Sequence, residues 1–137
     1  MSKYLLGLDN GGTVCKAAVF DEHGRQILKK GIQIPLNVNE NGRTERNPHE
    51  IIEKNFALIR SITEELDGPI AAIGLSGHGK GLYMLDKSGN PLGNGIGSTD
   101  SRALQYELDA LTSGLAEMVY PYTFHKVLAC QPVCLLR

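Results

Sequence analysis

Three cysteines, at positions 15, 130 and 134, are all that the sequence holds. An odd number this small builds no disulfide framework and implies reduced thiols in a cytoplasmic setting. An excess of one charge is also missing: fourteen Lys and Arg face fifteen Asp and Glu, a formal net charge of -1. A nucleic-acid partner normally leaves a basic excess, so none is expected. No apolar run approaches the ~18 residues of a membrane span, so no membrane partner is expected either. Met1-Ser2-Lys3-Tyr4 reaches Asp9 too soon to leave room for the apolar core of a signal peptide. Cys130 and Cys134 have no His or Cys pair at zinc-site spacing, which argues against a metal there. Internal repeats and low-complexity stretches are absent. What is present is 137 residues, 42% hydrophobic and 21% charged. That is one soluble domain's worth, enough for one core and too little for two full domains.

The first third reads as strands. Lys3 to Asp9 is an apolar run ending in an acid, and Thr13 to Asp21 is rich in Val, Ala and Phe. Asn10-Gly11-Gly12 between them predicts a hairpin, because these residues tolerate positive φ. Glu22 to Arg25 is the next turn, and Gln26 to Pro35 alternates as a third strand of an antiparallel meander. Leu36 to Arg46 is polar and predicts a loop. Asn47-Pro48-His49-Glu50 is a helix start, with Ile52, Phe56, Ile59 and Ile62 at helical spacing and Gly68-Pro69 as the stop. Ile70 to Ser76 predicts a strand buried on both faces. Leu82 to Leu85 predicts another, turned by Asp86 to Pro91. Half of the sixteen glycines lie between Gly74 and Gly97, a density at strand ends that suggests backbone closely approaching something. Ser98-Thr99-Asp100 predicts the cap of a helix through Leu104, Leu108 and Leu111, stopped near Gly114. An apolar helical run begins at Pro132 and is unfinished at Arg137; it reads either as a frayed terminal turn or, the preferred expectation, as the front of a longer protein.

Three constellations carry chemistry. Asp9-Asn10-Gly11-Gly12-Thr13 with Lys16 fits a phosphate turn. Its glycines let backbone N–H groups face an anion. Asp9 suits a magnesium ion that also takes phosphate oxygens. Thr13 offers a hydroxyl, and Lys16 a point charge for the outermost phosphate. Read alone, the stretch fits a plain hairpin with a solvated acid and base equally well. Ser76-Gly77-His78-Gly79-Lys80 follows a strand directly, where open α/β sheets bind ligands. His78 and Lys80 can donate to hydroxyl groups there, although a glycine-rich surface loop with two solvated side chains reads the same way. In Ser98-Thr99-Asp100-Ser101-Arg102, Asp100 is either a helix cap or an acceptor for two neighbouring hydroxyls of a polyol, oriented by Arg102. Tyr120, Tyr122 and His125 are isolated and read as packing or surface residues.

Together these stretches resemble the N-terminal part of the FGGY carbohydrate kinases. Gly7-Leu8-Asp9-Asn10-Gly11-Gly12-Thr13 with Lys16, Ala17, Phe20 and Asp21 is similar to that family's first phosphate motif. Gly74 to Gly81 with Leu85-Asp86 is similar to its sugar-contacting loop, and Asp100-Ser101-Arg102 to its acid-x-Arg motif. The loop His78 to Leu82, with Leu85-Asp86-Lys87 and Pro91 to Asn94, most resembles the L-xylulose kinase branch. His78-Gly79-Lys80 stands where D-xylulose kinases carry Gln-Met-His, and Ser98-Thr99 stands where many members carry Trp. The resemblance implies an α/β, actin-like, ribonuclease H-like fold: a mixed five-stranded sheet with flanking helices, of which residues 1–137 are part of the first domain. It implies ATP and Mg2+ as cofactors and a small sugar as substrate. Asp9 and Lys16 would be catalytic, with Asp9 at the metal. Gly11, Gly12, Thr13 and Lys16 would bind the nucleotide phosphates. His78, Gly79, Lys80, Asp100 and Arg102 would bind the sugar. The catalytic-base Asp and the second domain would lie past Arg137, so these residues alone are expected to be inactive. Their unfinished sheet and last helix are expected to favour a homo-oligomer.

Overall fold

The computed structural model describes residues 3–39 and 41–136. Met1-Ser2 of the signal-peptide reading, Glu40 of the predicted loop and the terminal Arg137 lie outside the described residues. The chain divides into two compact units, one of Met1–Pro35 and Pro48–His78, the other of Leu36–Asn47 and Gly79–Arg137. A single core was the expectation from length. Each unit instead has a core cluster of its own.

The first unit is a four-stranded mixed sheet with one helix on it. Its strands are β1 (Tyr4–Asn10), β2 (Val14–Phe20) and β3 (Gln26–Gln33). The unit's last strand, Ile70–Gly77, follows the helix Pro48–Thr63, here α1. The predicted meander is present: β1 pairs antiparallel with β2, and β2 with β3. The Ile70–Gly77 strand pairs parallel with the other side of β1. Alternation along each strand sends Tyr4, Leu6 and Leu8 of β1 and Cys15, Ala17 and Val19 of β2 to one face. That face is covered by α1 through Ile51, Leu58 and Ile62.

Two sequence expectations are corrected in this unit. The buried stripe of α1 runs through Ile51, Leu58 and Ile62, whereas Ile52 and Phe56 are more than half exposed. In phase with that stripe, at i+4 from Ile51, stands Asn55, and a polar residue there hid the true face from a count of apolar positions. The strand Ile70–Gly77 is not buried on both faces: it is the sheet's edge, with Ile73 50% and Leu75 74% exposed. Its uninterrupted apolar pattern reports what its faces can pack against, and among the described residues little covers them.

Lys30 ties the end of α1 to β3. Its Nζ donates to the Ser61 carbonyl at 2.8 Å and pairs with Glu65, placing a cation at the helix C-terminus, where the backbone dipole favours one. The β2–β3 turn is set by Asp21, whose carboxylate accepts the N–H groups of His23 and Arg25, and by Gly24 at φ 78°.

The second unit begins with a short hairpin, β4 (Asn37–Val38) and β5 (Thr44–Arg46), where the sequence predicts only a loop. In chain order the Ile70–Gly77 strand is β6, and β7 is Gly95–Ile96, which pairs antiparallel with β5. The predicted strand Leu82–Leu85 is reduced to two isolated bridges, Leu82 to Ile96 and Leu85 to Pro91. The fifth strand implied by the resemblance is therefore absent from the main sheet among the described residues. Three helices follow: α2 (Leu104–Thr112), α3 (Leu115–Thr123) and α4 (Pro132–Leu135). α3 was not anticipated, because Pro121 inside it argues against a helix. The small core joins Ala103, Ala129 and Cys134 with Val127 and Leu135. The Leu104, Leu108 and Leu111 stripe is about half exposed. Tyr120, Tyr122 and His125 are surface residues, as expected. No helix among the described residues is long and apolar enough to cross a membrane.

Ile62 has no exposed surface and anchors α1 to the sheet. Ile62→Ala is expected to destabilise the first unit by about 3 kcal/mol through lost burial and a residual cavity. Urea unfolding followed by circular dichroism measures it; a change under about 1 kcal/mol would mean that α1 does not hold this core.

Candidate functional site

In the first unit the site is built by strand register. Asp9 lies across from Lys16 on β2 and from Ser76 on β6. Residues directly opposite one another share a face, so all three side chains belong to the face that α1 leaves open. Ser76 Oγ donates to Asp9 Oδ1 at 3.1 Å. A cleft of about 410 Å3 is lined by Asp9, Lys16 and Ser76 together with Gly7, Gly74 and Lys29. Sequence reasoning found Asp9 and Lys16 and missed Lys29. The signal was parity: of the adjacent pair Lys29 and Lys30, one must face the cleft and the other the helix.

The turn Gly11-Gly12-Thr13 joins the two strands that carry Asp9 and Lys16. The expected reason for its glycines was positive φ, but neither Asn10 nor Gly11 adopts it. Gly11 is needed for space instead. A Cβ there would stand 2.4 Å from the Val14 carbonyl oxygen and 4.0 Å from Asp9 Oδ2. Thr13 is exposed, and its carbonyl accepts the Ile34 N–H at 2.8 Å, which ties the turn to the end of β3.

Behind the turn lies a chain of hydrogen bonds that the sequence did not reveal. The Asn10 carbonyl accepts the His78 N–H and also faces His78 Nδ1, each at 3.2 Å. A carbonyl can only accept, so the proton of that contact is on Nδ1, and a neutral His78 then carries its lone pair on Nε2. Asn10 Oδ1 accepts from Asn55 Nδ2 at 3.1 Å. Asn55 Nδ2 also donates to the Ile51 carbonyl at 2.7 Å, and Asn55 Oδ1 accepts from Cys15 Sγ at 2.7 Å. Burial, and then the negative charge of Asp9, push the Cys15 thiol above its usual range, so it stays protonated and remains a donor.

The second unit holds Gly79, Lys80, Asp100 and Arg102. Lys80 adopts φ 70° and Gly81 φ 86°, consecutive left-handed residues, and the first has a Cβ that makes this costly. Gly81 cannot be replaced easily: a Cβ would stand 2.4 Å from the Ile96 carbonyl oxygen. A cavity of this unit, about 630 Å3, is lined mainly by apolar residues of α2, α3 and the segment after them, and none of the four lines it.

Asp100 is not the cap of α2, which Ala103 precedes without a side-chain cap. Its buried carboxylate is instead held by four donors. Oδ1 accepts from the Arg102 N–H and Nε, each at 2.9 Å, and Oδ2 from the Thr44 N–H at 2.7 Å and Arg102 Nη2 at 3.0 Å. Arg102 Nη2 also reaches Glu45 Oε1 at 2.8 Å. Burial alone would raise the Asp100 carboxyl, but the bonds from Arg102 and Thr44 together outweigh it and hold it below the ordinary carboxylate range. The same contacts raise Arg102, Asp100 first and Glu45 second, while Arg102 and then Asn94 lower Glu45. Glu45 was missed because it stands in the segment taken for a loop. Its neighbour Arg46 is 3% exposed, and its Nε and Nη1 have no hydrogen-bond partner among the described residues.

Because the Asp100 carboxyl lies lower in the folded than in the unfolded chain, its contribution is complete above about pH 4 and is lost as the pH falls through the folded value. Asp100→Asn is expected to cost about 2 kcal/mol at neutral pH. The gap from the unmodified protein should close as the pH drops below about 4. Thermal melts from pH 3 to 7 read this, and a gap that does not change with pH would remove Asp100 from the pH response.

The pattern of the FGGY family of carbohydrate kinases, N-terminal domain, matches residues 4–137. The chain is 36% identical over 140 residues to the L-xylulose/3-keto-L-gulonate kinase of Escherichia coli (strain K12), covering 100% of this chain and 28% of that protein. It is 36% identical over 137 residues to a probable L-xylulose kinase of Pasteurella multocida (strain Pm70), covering 98% and 28%. Among solved structures, gluconate kinase from Lactobacillus acidophilus superposes with a TM-score of 0.92 at 29% identity, over 99% of this chain and 28% of that one. A ligand-bound xylulose kinase from the same organism gives 0.80 at 30% identity, over 87% and 24%. The chain thus spans little more than a quarter of the length of the curated relatives it matches. The fold is that of the sugar kinases with an actin-like core, and the chain belongs to the FGGY family of carbohydrate kinases.

Proposed function

We propose that the full protein carrying this chain transfers the γ-phosphoryl group of ATP to a primary hydroxyl of a ketopentose, with L-xylulose as the acceptor. The observation that carries the reading is the grouping of Asp9, Lys16 and Ser76 beside a turn in which Gly11 leaves no room for a side chain. A carboxylate and a cation side by side at a backbone turn suit a polyphosphate with its counter-ion. Phosphoryl transfer depends mainly on positioning and charge neutralisation, and these residues supply both.

Magnesium fits the donor set. One exposed carboxylate beside a phosphate turn is how this ion is usually held, with phosphate oxygens and water completing its shell. Asp9 would hold it, and when bound it neutralises charge on the phosphoryl group in transfer. Among the described residues no group of three His, Cys, Asp or Glu side chains offers an all-protein site instead. Gly11, Gly12 and Thr13 line the phosphates, and Lys16 balances the charge on the outermost one.

His78, Gly79, Lys80, Asp100 and Arg102 form the acceptor's binding residues. Lys80 is the one we expect to meet sugar hydroxyls most directly, because a residue with a Cβ held in the left-handed region is a costly conformation of the kind found at ligand sites. Arg102 is held by both Asp100 and Glu45, so it offers a hydroxyl a fixed donor rather than a loose charge. L-xylulose is chosen over other ketoses because relatives bearing that activity in their names share 36% identity along nearly the whole chain. Three free, buried cysteines and an ATP-dependent reaction support a cytoplasmic setting.

A coupled assay of the full-length protein with ATP and a panel of ketopentoses, ketohexoses and polyols tests this. L-xylulose should give the highest kcat/KM, and phosphorylation of none of the panel would sink the reading. In the same enzyme Lys80→Ala should raise KM for the sugar about tenfold while KM for ATP stays within about twofold, the loss of one charged hydrogen bond. Equal increases for both substrates would remove Lys80 from the sugar site.

A further inference from the structure

We propose that Asn55 is a positioning residue for phosphoryl transfer, holding the phosphate turn and His78 in a single arrangement through Asn10. The proposal rests on the reading that the Gly11-Gly12-Thr13 turn receives the phosphates of ATP.

The first observation is where Asn55 stands. It shares the buried face of α1 with Ile51, Leu58 and Ile62. A leucine would suit that stripe, and an amide there costs free energy unless its polar atoms are satisfied. The second observation is how completely they are satisfied. Both hydrogens of Nδ2 are used, one on the Ile51 carbonyl and one on Asn10 Oδ1. Oδ1 accepts from the Cys15 thiol. The Cys15 proton fixes which end of the amide faces β2, and so which end faces Asn10. A thiol kept protonated by burial holds that orientation.

The third observation is what Asn10 does with the support. It is the last residue of β1, directly before Gly11, and its carbonyl receives both the backbone and the ring nitrogen of His78. One residue therefore joins the beginning of the phosphate turn to the beginning of the loop after β6. Asn55, half-buried on α1, fixes that residue's side chain from the helix side. The turn could form without it, since β1 and β2 pair along their whole length. What the amide adds is a defined direction for Asn10, and with it the spacing between the turn and His78. Misplacement by about 1 Å can cost on the order of a hundredfold in rate. A satisfied amide in a core is a means of setting such a distance.

The test uses the full-length enzyme. Asn55→Leu keeps the number and branching of the side chain's heavy atoms and completes the apolar stripe, so its melting temperature should be equal to or above that of the unmodified protein, while the three hydrogen bonds are lost. Its kcat is expected to fall at least tenfold, with KM for the sugar within twofold. Asn10→Ala should give a similar loss, and the double variant should lose no more than the larger single one, because the two residues act as one unit. Asp9→Asn is the control for the underlying reading. If Asp9→Asn keeps full activity, the phosphate assignment fails; if Asp9→Asn is impaired while Asn55→Leu retains normal kcat, the positioning proposal alone is overturned. Additive losses in the double variant would overturn it as well. Should Asn55→Leu not fold, Asn10→Ala decides: a tenfold loss of kcat supports the proposal and an unchanged kcat overturns it.

Discussion

The first unit depends on β1 being held on both sides at once, antiparallel to β2 and parallel to β6. An antiparallel neighbour can follow through a tight turn, and this one does, at Gly11-Gly12-Thr13. A parallel neighbour needs a long return path, and here that path runs through α1, which covers the opposite face of the sheet. The same connection thus closes the core and brings β6 beside the turn. Asp9 has Lys16 on one side and Ser76 on the other as a consequence of these pairings, without any long side chain having to reach.

The parts of this arrangement that are local in sequence were legible in it. The two turns of the meander, the start of α1 and the candidates Asp9 and Lys16 all follow from residues a few positions apart. What was not legible depended on partners far along the chain. The β4–β5 hairpin looks like a loop because two- and three-residue strands are too short to show alternation. β6 looks doubly buried because apolar composition describes an appetite for contact and not its fulfilment. The face of α1 was misjudged because Asn55 sits where an apolar residue is counted on, and only the distant Asn10 and Cys15 explain why it can. Asp100 reads as a helix cap until Thr44 and Arg102 are seen to occupy its oxygens.

The second unit shows how a small core can still hold polar groups firmly. Its apolar cluster is built from little more than Ala103, Ala129 and Cys134 with two neighbours. Arg102 compensates locally: its guanidinium bridges Asp100 and Glu45, and Asp100 in turn holds the backbone of β5 at Thr44. An exposed pair of this kind would contribute little, but Asp100 is buried and its bonds are shielded from competing water. Arg46, at the end of β5, leaves its Nε and Nη1 without a hydrogen-bond partner among the described residues.

The side-by-side lysines of β3 show what the pleat means for change over time. Lys29 lines the open cleft, while Lys30 clamps the far end of α1. A strand reads its residues two at a time, like a frame with a period of two. Losing or gaining a single residue in β3 exchanges the two lysines' tasks and every other assignment along the strand, whereas a change of two residues preserves them. Lineages of this fold should therefore hold the parity of β2 and β3 on either side of the turn that Asp21 and Gly24 set.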